Sequence, residues 1–171
     1  MYIPFVSEDS AKLICFTTFC GYFFAQKYRR RKDFFRQLCE FNERFLSEIT
    51  YYRRPLPDFA ASYEYKGDFH NLLTNYFQIA KEQQGIRLSF SQGMLDNVGL
   101  TFLRKEEKSI VEDYFLMLGK GDSASQKMYF TATKENLKKI CAQSELDCKK
   151  YGDLYIKLGF LFGLLLLILM M

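Results

Sequence analysis

The chain has 171 residues, 49% of them hydrophobic and 18% aromatic, with no tryptophan. Its formal charge of +4 is local: five cations fall within residues 27–32, and removing them leaves nineteen basic side chains against twenty acidic ones. That balance gives no extended basic face for nucleic acid, and a single histidine excludes a multi-histidine metal centre or a relay between histidines.

The first element is an apolar run, residues 13–25 (LICFTTFCGYFFA), followed at once by QKYRRRK. Thirteen residues are short for a membrane span, but Lys12 and Lys27 can extend their ammonium groups to the two interfaces. A cleaved signal peptide would carry its cations before the apolar run and a small-residue cleavage site after it, and neither is present. Residues 1–26 are therefore expected to be an N-terminal transmembrane anchor. The positive-inside rule places Lys27, Arg29, Arg30, Arg31 and Lys32 in the cytoplasm, against anionic lipid. Thr17, Gly21 and Ala25 recur at a four-residue spacing within the run, which suits close helix packing.

Residues 27–153 are expected to form one cytoplasmic helical bundle. Phe34, Phe35, Leu38, Phe41, Phe45, Leu46, Ile49 and Tyr52 follow steps of three and four with charges between them. No breaker separates this stripe from the first apolar run, so one helix is predicted to continue to about Tyr52. Pro55-Leu56-Pro57 then stops it, with Leu56 turned inward. A second helix is predicted over Asp68–Gln83 on Leu72, Leu73, Tyr76, Phe77 and Ile79, closed by Gly85. A short piece lies near Gln92–Val98, and IRLSF at 86–90 is a strand candidate too isolated to build a sheet. Glu106–Leu118 reads as a helix with acids in its first turn, ended at Gly119.

Asp122 is a suitable N-cap for the last helix, in which Gly152 is the strongest breaker before the end. Its apolar face reads Tyr129, Thr133, Leu137, Ile140, Ser144, Cys148 and Tyr151, while Lys134, Lys138, Glu145 and Lys149 face water. Beyond Lys157 no charge follows. Residues 158–171 would reach about 21 Å as a helix, and including Leu154, Tyr155 and Ile156 extends this to about 27 Å if Lys157 reaches for the interface. Tyr151 and Tyr155 then lie at headgroup level. A buried core helix is the alternative, but Leu164–Leu169 has no polar face and would need apolar partners all round. Residues 154–171 are thus expected to be a C-terminal transmembrane helix. Gly159 and Gly163 give it a small-residue face of its own, for pairing with the first span or with another subunit. The fold class is all-α: an antiparallel helical bundle with an N-terminal and a C-terminal transmembrane helix.

Cys15 and Cys20 fall in the first span. Cys39, Cys141 and Cys148 form no C-x-x-C pair and read as small apolar filler in a reducing compartment. His70 is expected at the surface or half-buried. Glu106-Glu107 and Glu112-Asp113 are adjacent acids that point apart on a helix, so they read as a solvated face. Gly119-x-Gly121 lacks the Gly-Lys-Ser/Thr and the preceding strand of a phosphate loop. No enzyme, cofactor, metal or small-molecule substrate is expected.

The order YRRRK, SEITYYRRPLP, LGKGDSASQ and KLGFLFGLLLLIL resembles the stage III sporulation protein AB family. The matching positions are Glu48, Ile49, Tyr51, Pro55, Leu56 and Pro57 in one motif, and Leu118, Gly119, Asp122 and Gln126 in the other. The resemblance implies two membrane spans in the cell membrane and a bundle in the mother-cell cytoplasm, similar to the F protein of type II secretion systems. It implies a non-enzymatic scaffold subunit of the complex joining mother cell and forespore. Its partners would be a cytosolic ATPase of the stage III sporulation protein AA type and other membrane subunits. The alternative is a membrane-anchored adaptor that binds a soluble regulatory partner. The expected partner-binding residues are Arg53, Arg54, Pro55, Leu56, Pro57, Lys120 and Asp122. A helix of about 25 residues from Lys27 carries the first of these roughly 37 Å from the bilayer, and the basic tip would suit an acidic partner surface.

Overall fold

The computed structural model describes residues 8–52, 56–82, 98–118 and 123–170. Every regular element among them is a helix. Helix α1 spans Glu8–Ser47 and passes into a π-helical turn, Glu48–Tyr52. Helix α2 is Leu56–Ala61, α3 is Gly67–Glu82, α4 is Lys105–Leu118 and α5 is Ser123–Asp147. A second π-helical turn, Cys148–Gly152, leads into α6, Asp153–Met170. The all-α expectation holds, and the three helix starts predicted at 68, 106 and 122 fall within a residue of those observed. The stops at Pro55, Gly85 and Gly119, the Asp122 cap, the strand candidate at 86–90 and most of the Gln92–Val98 piece lie outside the described residues.

Two compact units divide the chain: residues 1–32 with 142–171, and residues 33–141. The second unit has a core built largely of aromatic rings. Phe34, Phe35, Leu38, Phe41 and Phe45 of α1 are buried as their spacing requires. Phe41 is the hub, within 6.4 Å of the ring centres of Phe45, Phe59, Tyr65, Phe69 and Tyr114. Most of these pairs meet edge to face, the arrangement the ring quadrupole favours. Phe130, which the sequence face had left out in favour of Tyr129, is fully buried and lies 4.9 Å from the Tyr114 ring. From α3, Leu72, Leu73 and Tyr76 enter the core, and Phe77 and Ile79 pack against it.

Several polar groups inside this unit join its helices. Asn42, 1% exposed, accepts from the Tyr114 hydroxyl at 3.2 Å and donates to the Phe130 carbonyl at 3.4 Å, so one amide joins α1, α4 and α5. Gln37 donates to the Lys66 carbonyl at 2.9 Å and accepts the Lys66 N–H at 2.7 Å, holding the strand of chain that enters α3. Gly67 follows with φ +60°, a left-handed conformation that a Cβ would strain. Glu107 corrects the solvated-face reading of its acid pair. It is buried, and its carboxylate accepts the Arg104 N–H at 3.0 Å, the return arm of a capping box at the start of α4. Gln126 donates to the Met117 and Leu118 carbonyls at 3.3 and 3.2 Å, taking up acceptors that the end of α4 leaves open. Leu56 is half-buried against the core.

Candidate functional site

The first unit consists of the N-terminal part of α1 and the stretch from Ala142 through α6. The two run antiparallel and touch backbone to backbone. A methyl group on Gly21 would lie 3.3 Å from the Gly159 Cα and closer still to the Tyr155 carbonyl oxygen. One on Gly159 would come within 2.7 Å of the Thr17 carbonyl oxygen, and one on Gly163 would meet the Thr17 hydroxyl and stand 3.2 Å from the Ile14 Cα. Thr17, Gly21, Gly159 and Gly163 thus come together within one chain, and Ala25 is fully buried on the same face. Small residues four apart are what allow this approach, and in lipid such packing replaces the hydrophobic driving force. Thr17 and Thr18 return their hydroxyls to carbonyls of the preceding turn, at 3.0 Å and 2.8 Å to Ile14, which satisfies both hydroxyls within the helix.

Below the glycines the contact becomes aromatic. Tyr28 stacks on Tyr151 at 5.3 Å and on Tyr155 at 5.8 Å, and Phe24 lies 6.1 Å from Tyr155. The contact then becomes ionic. Arg31 is 4% exposed and donates to Asp147 at 2.8 Å, while Gln143 donates to the other Asp147 oxygen, also at 2.8 Å. The five cations therefore differ: Arg31 is an internal ion-pair partner, Lys27, Arg29 and Arg30 are exposed, and Lys32 is half-exposed. Arg29 lies over the Tyr22 ring at 5.2 Å.

The outward surface of this unit is apolar. Phe16, Phe19, Phe23 and Phe24 on α1, and Leu158, Leu161, Phe162, Leu165, Ile168 and Leu169 on α6, are each 49–74% exposed. Among the described residues one helical stretch, Ser125–Leu169, is long and apolar enough to cross a membrane, with a mean hydropathy of 2.0 over its best 18 residues. Only 11% of that window is buried, unlike a core helix of a soluble protein. Among its described residues helix α1 holds no stretch of that length and apolarity.

At the end of the second unit where α1 finishes and α5 begins, Tyr51 is 77% exposed and Met128 75% exposed. Leu56 is half-buried and Pro57 exposed, whereas Arg53, Arg54, Pro55, Lys120 and Asp122 lie outside the described residues. Pro57 also borders a cleft of about 670 Å³ shared with Tyr63, Tyr65, His70 and Phe77. His70 is exposed, and the Thr74 hydroxyl lies 3.5 Å from its ring nitrogen.

The family model for stage III sporulation protein AB matches residues 10–171, nearly the whole chain. The chain belongs to the stage III sporulation protein AB family. No curated protein and no solved structure matches it. Within this family member the quoted motif residues divide by role. Glu48 is buried, Ile49 half-buried and Leu118 buried, and Gln126 closes α4, so these serve the fold. Tyr51 alone of the described EI-x-Y residues stands in the open.

Sequence reasoning missed Asp147, Asn42 and Glu107. Asp147 carried a signal, since it follows Ile140 and Ser144 by seven and three residues on the face that α5 buries. An acid on that face calls for a cation, and Arg31 supplies it. Asn42 is adjacent to Phe41 and gave no comparable sign.

Proposed function

We propose that this sporulation protein is a non-enzymatic membrane scaffold of the complex joining mother cell and forespore. It has two spans, its bundle lies in the mother-cell cytoplasm, and it docks a cytosolic secretion-type ATPase. The observation that carries the docking surface is Tyr51. It belongs to a family-like motif whose neighbours Glu48 and Ile49 are turned into the fold, yet it is 77% exposed. Tyrosine is among the residue types that anchor protein interfaces, offering a large rigid face and a polar tip. Arg53 and Arg54, two and three residues further along the chain, add charge that would steer an acidic partner. Met128, exposed at the same end of the bundle, offers adaptable apolar area.

The test is recruitment of an ATPase of the stage III sporulation protein AA type to vesicles carrying the full chain. Tyr51→Ala and the double charge reversal Arg53→Glu/Arg54→Glu should each weaken recruitment about tenfold or more, as loss of an interface anchor does. Membrane insertion and melting should not change. Full recruitment by both variants would place docking elsewhere.

A further inference from the structure

Beside the contact of Gly21 with Gly159 runs an apolar groove of about 670 Å³. Phe16, Cys20 and Phe24 line it from α1, and Leu158, Phe162 and Leu165 from α6. The same glycines that let the backbones meet leave no side chain to fill the space between them. Two lysines stand within a turn of the residues that line one end of the groove. Lys27 continues the row Phe16, Cys20, Phe24 at helical spacing, and Lys157 stands one turn before Leu161 on the opposite wall. Both lysines are exposed. Asp153, also exposed, lies one turn before Lys157 and offsets one of these charges, while Lys150, 5.2 Å from the Tyr151 ring centre, adds another. Beyond Lys157 no charge follows to the end of α6, so its ammonium stands at the edge of the apolar stretch, where a headgroup phosphate can reach it.

We infer that the groove seats an acyl chain of one anionic glycerophospholipid, whose phosphate is held by Lys27 and Lys157. This rests on the proposal that both helices lie in a bilayer. The apolar walls match a hydrocarbon chain and the two lysines at one end match its headgroup, which no purely apolar occupant would use. A second copy of the chain fits less well, because it would bring two lysine-bearing rims together in a medium that screens charge poorly.

The full-length protein is reconstituted with phosphatidylcholine and phosphatidylglycerol, re-extracted in mild detergent, and its retained lipid counted by native mass spectrometry. One phosphatidylglycerol per chain should stay bound. Lys27→Gln/Lys157→Gln should lower that retention about tenfold or more, while Lys139→Gln, which alters an exposed cation of the second unit, should leave it unchanged. Cys20→Phe, which fills the groove without altering charge, should displace phosphatidylglycerol as well. Equal retention of the two lipids, or retention undiminished in the lysine variant and in Cys20→Phe, would overturn the assignment. So would a dimer formed by oxidation between Cys20 residues of two chains. In the same vesicles a cysteine placed at position 7 reports topology: if it labels from the bundle's side, the two-span reading and the groove fall together, whereas correct topology with unaltered retention removes the groove alone.

Discussion

Arg31 sits in a run of five cations, but its guanidinium is 4% exposed and bound to an equally sequestered Asp147. Two buried charges that satisfy one another add little net stability, yet removing one strands the other. Asp147→Ala should therefore cost about 3 kcal/mol or more, read as a fall in the melting temperature of the full chain in detergent. Arg31→Met/Asp147→Leu should regain most of that loss, and a double variant no more stable than the single one would show that the pair is not coupled. A second residue-scale effect is alkaline. Burial pushes the Cys39 thiol up to about 12, with Cys141 beside it contributing in the same direction. Burial alone pushes the Tyr76 phenol up to about 12, and Tyr114 is raised by burial as well. In each case the folded state holds the proton more tightly than the unfolded state does. Their contribution is intact below about pH 9 for the thiol and pH 10 for the phenols, and is lost as pH rises toward 12. Denaturant midpoints should fall steeply across that window, and Tyr76→Phe should shallow the fall.

The helices join through ends that differ in how far they could be read. Gln126 closes α4 by donating to the Met117 and Leu118 carbonyls. Gln126→Ala should cost about 1 kcal/mol in denaturant unfolding, as loss of a helix-end hydrogen bond does, and Gln126→Glu should be worse, since a carboxylate has no proton to give them. Leu56→Ala should cost about 1–2 kcal/mol, less than a fully buried leucine, because Leu56 remains half in solvent. The α1 stripe from Phe34 to Phe45 was legible because its spacing repeats every three or four residues. The α4 start was legible from the acids in its first turn, but the role of Glu107 was not. Arg104 occupies the cap position where serine, threonine or aspartate would have signalled a capping box. The π-helical turns at Glu48–Tyr52 and Cys148–Gly152 left no mark in the pattern either. One inserted residue shifts the apolar phase by less than the width of the stripe, so Leu46, Ile49 and Tyr52 read as ordinary helix. Asn42 was invisible for a different reason: its partners are 72 and 88 residues away.

At the scale of the whole molecule the sequence showed an all-helical chain ending in a lipid-compatible helix. It also showed the small residues through which α1 and α6 touch. The small-residue spacing did not say whether those faces meet within one chain; the approach of Gly21 to Gly159 places them together in one unit. That contact bears on the proposed N-terminal span. Residues 13–25 are too few to span a bilayer independently, but a short apolar helix packed against a longer one shares its partner's covered surface and leaves less backbone to lipid. The exposed phenylalanines of α1 then form one apolar surface with the leucines of α6. If both helices enter the bilayer as proposed, opening the helix contact should disturb insertion of α1 more than that of α6. Gly159→Leu forces the backbones apart, since even a methyl there comes within 2.7 Å of the Thr17 carbonyl oxygen. Cysteine labelling in intact cells reads both ends, with Ser7→Cys expected to react from outside and Ser123→Cys only after the membrane is opened. In the Gly159→Leu background external labelling at position 7 should drop severalfold, because one helix face now lacks its partner, while position 123 stays protected. Unchanged labelling at position 7 would mean that the first apolar run crosses unaided, and external labelling at position 123 would reverse the orientation and remove the bundle from the cytoplasm.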